Sequence, residues 1–113
     1  MVDEKYVPER GDIIWLNFEP QAGHEQKGIR PAVTISPKIY NEKAGLGLFC
    51  PITSQEKGYS FEVKISSLED VHGVILVDQI KNLDWSARKA EFISILPYKI
   101  MKDVIAKLLT LIE

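Results

Sequence analysis

Asp12-Ile13-Ile14-Trp15-Leu16-Asn17-Phe18 and Pro31-Ala32-Val33-Thr34-Ile35-Ser36-Pro37 are two apolar runs with strand character, and between them lies Gly23-His24-Glu25-Gln26-Lys27-Gly28-Ile29-Arg30. A histidine, a carboxylate, an amide, a lysine and an arginine are thus gathered on one expected loop, next to two glycines. Rigid strands that hold a polar loop are a common way to build a site. The pair of runs also sets the fold class, because further short apolar runs recur downstream, broken by Gly, Pro, Asn and Ser clusters. Residues 46–52 read as a third strand and residues 53–58 as a loop or hairpin. In Phe61-Glu62-Val63-Lys64-Ile65 apolar and charged residues alternate, which predicts a strand with one wet face. Val74-Ile75-Leu76-Val77 is apolar throughout, which predicts burial on both faces or at an interface.

Two segments break the strand pattern. Residues 38–45 form a polar connection with room for one helical turn. From Pro97 onward, Ile100, Met101, Val104, Ile105, Leu108, Leu109 and Ile112 recur at helical spacing, which predicts an amphipathic C-terminal helix lying on the sheet, with Asp103 and Lys107 four apart on its outer face. The expected class is mainly β with one terminal helix. At 113 residues the chain is expected to be a single domain, residues 1–113, burying roughly two-thirds of its unfolded surface.

Composition narrows the function. The chain carries 14 basic against 16 acidic residues, without a block of either sign. This argues against a general nucleic-acid coat protein, which needs a basic excess; it leaves open a local site to which Lys27, Arg30, Lys57, Lys81, Arg88 and Lys89 could contribute. The single Cys50 sits in an apolar run and reads as a small buried hydrophobe. The charged N-terminus lacks a signal-peptide core and no run approaches a membrane span, so a soluble, cytoplasmic protein is expected. Nucleotide-binding glycine patterns, zinc-type Cys/His spacing and the Gly-x-Ser-x-Gly elbow are missing from the sequence, so neither a metal nor a cofactor is called for.

Three groups carry candidate chemistry, each with a plainer reading beside it. His24, Glu25, Gln26, Lys27 and Arg30 form either a site or a solvated loop. Thr53-Ser54 either binds a ligand or is a turn pair whose hydroxyls bond nearby backbone. Asp78-Gln79 follows the apolar strand, where a partly desolvated carboxylate either caps a turn or acts as a base. His72, before Gly73, reads as a solvent-exposed turn residue.

Taken in order, Gly11-Asp12-Ile13-Ile14-Trp15-Leu16, Pro20, Gly23-His24-Glu25-Gln26-Lys27-Gly28, Arg30-Pro31-Ala32-Val33, Ser36-Pro37, Tyr40-Asn41, Pro51-Ile52-Thr53-Ser54, Lys57-Gly58-Tyr59, Phe61-Glu62-Val63, Gly73-Val74 and Asp78-Gln79 closely resemble the MazF/PemK (Kid) toxins of bacterial toxin–antitoxin pairs. The similarity runs from Tyr6 to the terminal helix. Lys57-Gly58-Tyr59-Ser60-Phe61-Glu62-Val63 resembles the MazF branch more than the PemK branch. The resemblance implies an SH3-like small β-barrel (CcdB/MazF-like) with a terminal helix, and a homodimer blocked by a cognate acidic, MazE-like antitoxin. It further implies metal-independent, sequence-specific cleavage of single-stranded RNA, chiefly mRNA. The dimer face is expected at Val74 to Val77 and the terminal helix, whose apolar surface exceeds what one subunit easily hides.

Cleaving RNA without metal uses the neighbouring 2′-hydroxyl as nucleophile. The protein must remove that proton, stabilise a doubly charged phosphorane and protonate the leaving 5′-oxygen. By resemblance, Arg30 is the phosphate clamp, its planar fork donating two parallel bonds. Thr53 donates a further bond, Glu25 is the candidate base and His24 the candidate acid. Gln26, Lys27, Ser54, Lys57, Asp78 and Gln79 are the implied RNA contacts. PemK-like members carry a catalytic Arg two residues before the strand aspartate, where this chain has Leu76, which favours the Glu25/Arg30/Thr53 arrangement. The alternative from another class, a CcdB-like non-enzymatic gyrase poison, has no use for that combination. An SH3-like interaction module would need an aromatic groove that Trp15 and Trp85 alone do not build.

Overall fold

The computed structural model describes residues 5–19, 28–66 and 68–113. Among them the strands are β1 (Asp12–Asn17), β2 (Ile29–Thr34), β3 (Gly47–Thr53), β4 (Glu62–Ile65), β5 (Gly73–Leu76), β6 (Lys81–Leu83) and β7 (Glu91–Ile95). The helices are α1 (Lys38–Ala44) and α2 (Tyr98–Ile112), and a 3-10 turn spans Val77–Gln79. All strand pairings are antiparallel, in the order β4-β5-β3-β2-β1-β7 with β6 on β3. Among the described residues β4 and β7 are not paired with each other, so the small barrel expected from the sequence is an open, coiled sheet closed off by α2.

Period-two side chains give this one sheet two cores. In β1, Ile13 points to one face and packs with Val33, Cys50, Ile52, Val63, Ile75 and, from α2, Met101 and Val104. Its neighbours Ile14 and Leu16 point to the other, with Phe18, Ala32, Phe49 and Trp85. A register shift between Ile13 and Ile14 in the β1–β7 pairing marks a bulge, which adds twist and lets the sheet bury both faces.

Several expectations need adjusting. The second strand starts at Ile29, two residues before Pro31, so Arg30 stands on a strand and is half-buried rather than on a mobile loop. The connection at 38–45 is a full helix, ended by Gly45 in the left-handed region (φ 69°) with its N–H bonded to Asn41 O. β6 and β7 have no counterpart in the sequence reading. Val74 to Val77 are buried as expected, but by β3, β4 and α2 of the same chain, so that strand supplies no surplus apolar surface. The surplus lies at Phe92, Ile95 and Tyr98 and at the end of α2, where Leu109, Leu111 and Ile112 are exposed. On α2, Lys107 Nζ donates to Ser60 O in place of pairing with Asp103.

Asn41 explains why α1 forms where the sequence reads as a connection. Its side chain is fully buried; Nδ2 donates to Pro8 O (2.7 Å) and Ser36 O (3.1 Å), and Oδ1 accepts from Ser36 Oγ (2.5 Å). Ser36 Oγ in turn accepts from Leu48 N–H, and Trp85 Nε1–H donates to Asn41 O. The side-chain amide thus joins the N-terminal segment and, through Ser36, β3, while the backbone carbonyl of the same residue ties in Trp85 of the second core. Asn41→Ala leaves several buried polar groups unpaired, each costing about 1–3 kcal/mol. A loss of about 3 kcal/mol in urea unfolding is expected, and a loss under about 1 kcal/mol would remove Asn41 as the network's centre.

Candidate active site

Cross-strand partners share a face of a sheet, and three registers converge on one face here. Thr53 pairs with Val74, Lys64 with Val74 and Glu62 with Leu76, so these side chains stand opposite the first core. The β2–β3 register runs Thr34 with Phe49, Val33 with Cys50 and Ala32 with Pro51. Continued by two residues it brings Arg30 alongside Thr53. Arg30 Nη1 donates a long bond (3.4 Å) to Ile52 O, the residue before Thr53. Arg30 stands second in β2 and Thr53 ends β3, so two residues 23 positions apart in sequence lie near the ends of two adjacent strands.

A cleft of about 340 Å³ is lined by Thr53 together with Gln55, Lys57, Tyr59, Glu62, Leu76, Asp78 and Gln79; Arg30 is not among its lining residues. Of the expected site residues it collects Thr53, Lys57, Asp78 and Gln79. Ser54 is exposed beside it and does not line it. Leu76, where an arginine was expected in PemK-like chains, makes an apolar wall. His24, Glu25, Gln26 and Lys27 lie outside the described residues. The stem of their segment is described: Phe18 N–H donates to Gly28 O (2.9 Å) and Gly28 N–H to Glu19 Oε2 (2.6 Å), while Arg88 Nη1 donates to Asn17 O (2.9 Å) and Glu19 O (2.8 Å). Arg88 and Lys89 thus belong to a separate hollow with Trp15 and Ile29.

The turn reading of Thr53 is met, and it is compatible with a further bond to a ligand. Its Oγ1 accepts from Gln55 N–H (3.2 Å), the local turn bond, and a hydroxyl that accepts keeps its proton as a donor. Asp78 departs from expectation: it is exposed in the 3-10 turn, not desolvated. Burial, and secondarily the Asp78 charge, push the Cys50 thiol up to about 12, so it is not a thiolate nucleophile. His72 is exposed and outside the cleft. The residues that the sequence reading did not place in the site are Gln55, Tyr59 and Glu62. The signal for Glu62 was present in its alternation with Val63 and Lys64, but a wet-face residue and a cleft residue look alike in one dimension.

Gly73 holds the geometry of Thr53. Its φ is +119°, and a Cβ there would stand 2.1 Å from Thr53 O. Gly73→Ala is therefore expected to displace Thr53 and lower cleavage at least tenfold, while costing about 2 kcal/mol or more of stability. Unchanged turnover in this variant would show that the position of Thr53 is immaterial.

Comparisons with known proteins bear on this geometry. Residues 9–112 match the family model described as PemK-like, MazF-like toxin of type II toxin–antitoxin system. The chain is 52% identical over 86 residues to the endoribonuclease toxin MazF of Escherichia coli strain K12, covering 76% of this chain and 77% of the relative. It is 36% identical over 110 residues to the E. coli endoribonuclease toxin ChpB, covering 93% and 94%. Among solved structures, MazF (Form-I) from Deinococcus radiodurans aligns with a TM-score of 0.92 at 47% identity, covering 96% of this chain and 98% of that one. MazE-MazF (Form-II) from the same organism aligns at 0.84 and 41%, covering 96% and 97%. A match across nearly the whole length, at this identity and on this fold, means that the chain belongs to the PemK-like, MazF-like toxins of type II toxin–antitoxin systems.

Proposed function

We propose that this chain is the toxin of a type II toxin–antitoxin pair and a sequence-specific endoribonuclease of single-stranded mRNA, cutting without metal to leave 2′,3′-cyclic phosphate and 5′-hydroxyl ends and so inhibiting translation and growth. The observation that carries the reading is that Thr53, Lys57, Asp78 and Gln79 line one cleft of about 340 Å³, while Arg30 reaches the carbonyl of Ile52, the residue before Thr53. Its relatives are named endoribonucleases, which favours this chemistry over the gyrase-poison alternative.

In the proposed mechanism the scissile phosphate sits between Arg30 and Thr53. The guanidinium donates to the non-bridging oxygens as they gain charge, and the Thr53 hydroxyl adds a donor from a strand held on both edges. Glu25 removes the 2′-hydroxyl proton, and His24 protonates the departing 5′-oxygen. Gln26, Lys27, Ser54, Lys57, Asp78 and Gln79 hold the flanking nucleotides. Attack is internal, so the reaction asks for no water nucleophile and no metal-bound hydroxide.

The chain is proposed to act as a homodimer in the cytoplasm, where mRNA is; among the described residues no helix is long and apolar enough to cross a membrane. The exposed apolar side chains of β7 and the α2 end support an interface with a second subunit or an antitoxin. Solved MazE-MazF complexes of relatives support a MazE-like antitoxin, whose acidic chain would compete with RNA for Arg30 and Lys27. To test the reading, purified protein is incubated with total RNA in excess EDTA and the fragment ends are sequenced. The expected result is cleavage at one short motif with 5′-hydroxyl ends; 5′-phosphate ends, or cleavage only with added metal, would overturn it.

A further inference from the structure

We propose that Tyr59 is a stacking platform for one unpaired base of the RNA, with Leu76 as the apolar wall of the same subsite. The inference rests on the ribonuclease reading and deepens it. Tyr59 is 63% exposed yet lines the cleft that begins at Thr53. An exposed ring at the edge of a cleft presents a π-face on which an unpaired base can stack.

The backbone of Tyr59 is also held more firmly than an exposed loop residue needs. Glu62 carboxylate oxygens accept from the N–H groups of Lys57 (3.2 Å) and Gly58 (2.9 Å), and Glu62 N–H donates to Tyr59 O (3.0 Å). Gly58, at φ +81°, makes the turn that this arrangement requires. From the following residues, Ser60 O accepts from Lys107 Nζ, and Phe61 O accepts from Val77 N–H (3.2 Å). One carboxylate and its backbone thus fix a three-residue rim carrying a cation, a turn and an aromatic ring. Leu76, a 6% exposed residue whose side chain offers only carbon, lines the same cleft.

A cleft whose lining combines an exposed ring, an aliphatic side chain, a lysine and several hydrogen-bonding groups fits a base with its phosphate better than an isolated phosphate or a peptide carboxylate. Unpaired bases are recognised by stacking on aromatic side chains. Stacking is tolerant of base identity, so Tyr59 would set affinity and register along the strand, leaving base selection to polar groups. A rigid platform loses little freedom when the base arrives, which raises affinity for a given contact.

The test uses full-length protein and a single-stranded RNA oligonucleotide containing the motif that it cuts. Tyr59→Ala is expected to raise KM about 5- to 150-fold with kcat little changed, and Tyr59→Phe, which keeps the ring, to stay close to wild type. Abasic substitution at each position of the oligonucleotide supplies the coupling. At one position the missing base should cost wild type a similar factor and cost Tyr59→Ala almost nothing more. Additive losses at every position would overturn the platform, as would an unchanged KM in Tyr59→Ala. A shift of Tyr59→Ala towards monomer with no abasic coupling would assign the ring to a subunit contact instead. Failure of wild-type protein to cut any RNA would refute the ribonuclease reading itself, an outcome separate from all of these.

Discussion

Arg30→Ala is expected to lower the cleavage rate by a factor of about 100 to 1,000 while the protein stays folded. Two quantities separate those effects. On the structural side Arg30 is only half-buried and belongs to neither hydrophobic core, so its truncation opens no core cavity and a midpoint shift in urea should be small. In the proposed mechanism Arg30 supplies the fork that meets charge developing on the phosphorane, a contact stronger in the transition state than in the bound substrate. The loss should therefore appear mainly in kcat. Arg30→Lys keeps the charge without the planar pair of donors and should recover only part of it. Full turnover in either folded variant would remove Arg30 from the reaction.

An oligonucleotide with a 2′-deoxy sugar at the scissile position should bind with nearly unchanged affinity and not be cut at that linkage. The reason is that the nucleophile belongs to the substrate: deleting one oxygen removes the attacking atom but leaves the phosphates, the bases and their contacts. A competitor assay shows the expected pattern, the deoxy strand inhibiting cleavage of the all-RNA strand with an inhibition constant near its KM. Cleavage of the deoxy strand would mean that water attacks, and would turn Glu25 from a base acting on substrate into one acting on solvent.

The legible parts of the fold were those with strong periodicity. β1, β3, β4 and α2 each present an apolar set at the spacing that their structure needs, and Val74 to Val77 read correctly as buried. β6 and β7 were not legible for a common reason. β6 is three residues with polar Lys81 and Asn82, and β7 is an edge strand whose residues are only half-buried or exposed, so neither shows an apolar face. α1 was hidden because its one fully buried side chain, Asn41, is polar and its worth lies in hydrogen bonds, which hydropathy does not record. The candidate site was legible as a set of residue types, since Arg30, Thr53, Lys57, Asp78 and Gln79 could be matched to a family. The gathering of Thr53, Lys57, Asp78 and Gln79 around one cleft was not: it follows from strand register, and the part of Glu62 in holding Tyr59 depends on a turn.

β3 is paired on both edges, by β2 along one and by β6 and β5 in succession along the other. Its amides should exchange with solvent only on opening of most of the sheet, on a free-energy scale close to that of global unfolding. Thr53 closes that strand, and Arg30 borders it, so this half of the proposed reaction centre does not breathe with the loops. The geometry for in-line displacement must then come from the RNA bending onto a fixed template, and the conformational freedom surrendered on association falls chiefly on the nucleic acid. Flexible, unpaired RNA can meet that demand, whereas a stacked duplex of the same sequence cannot.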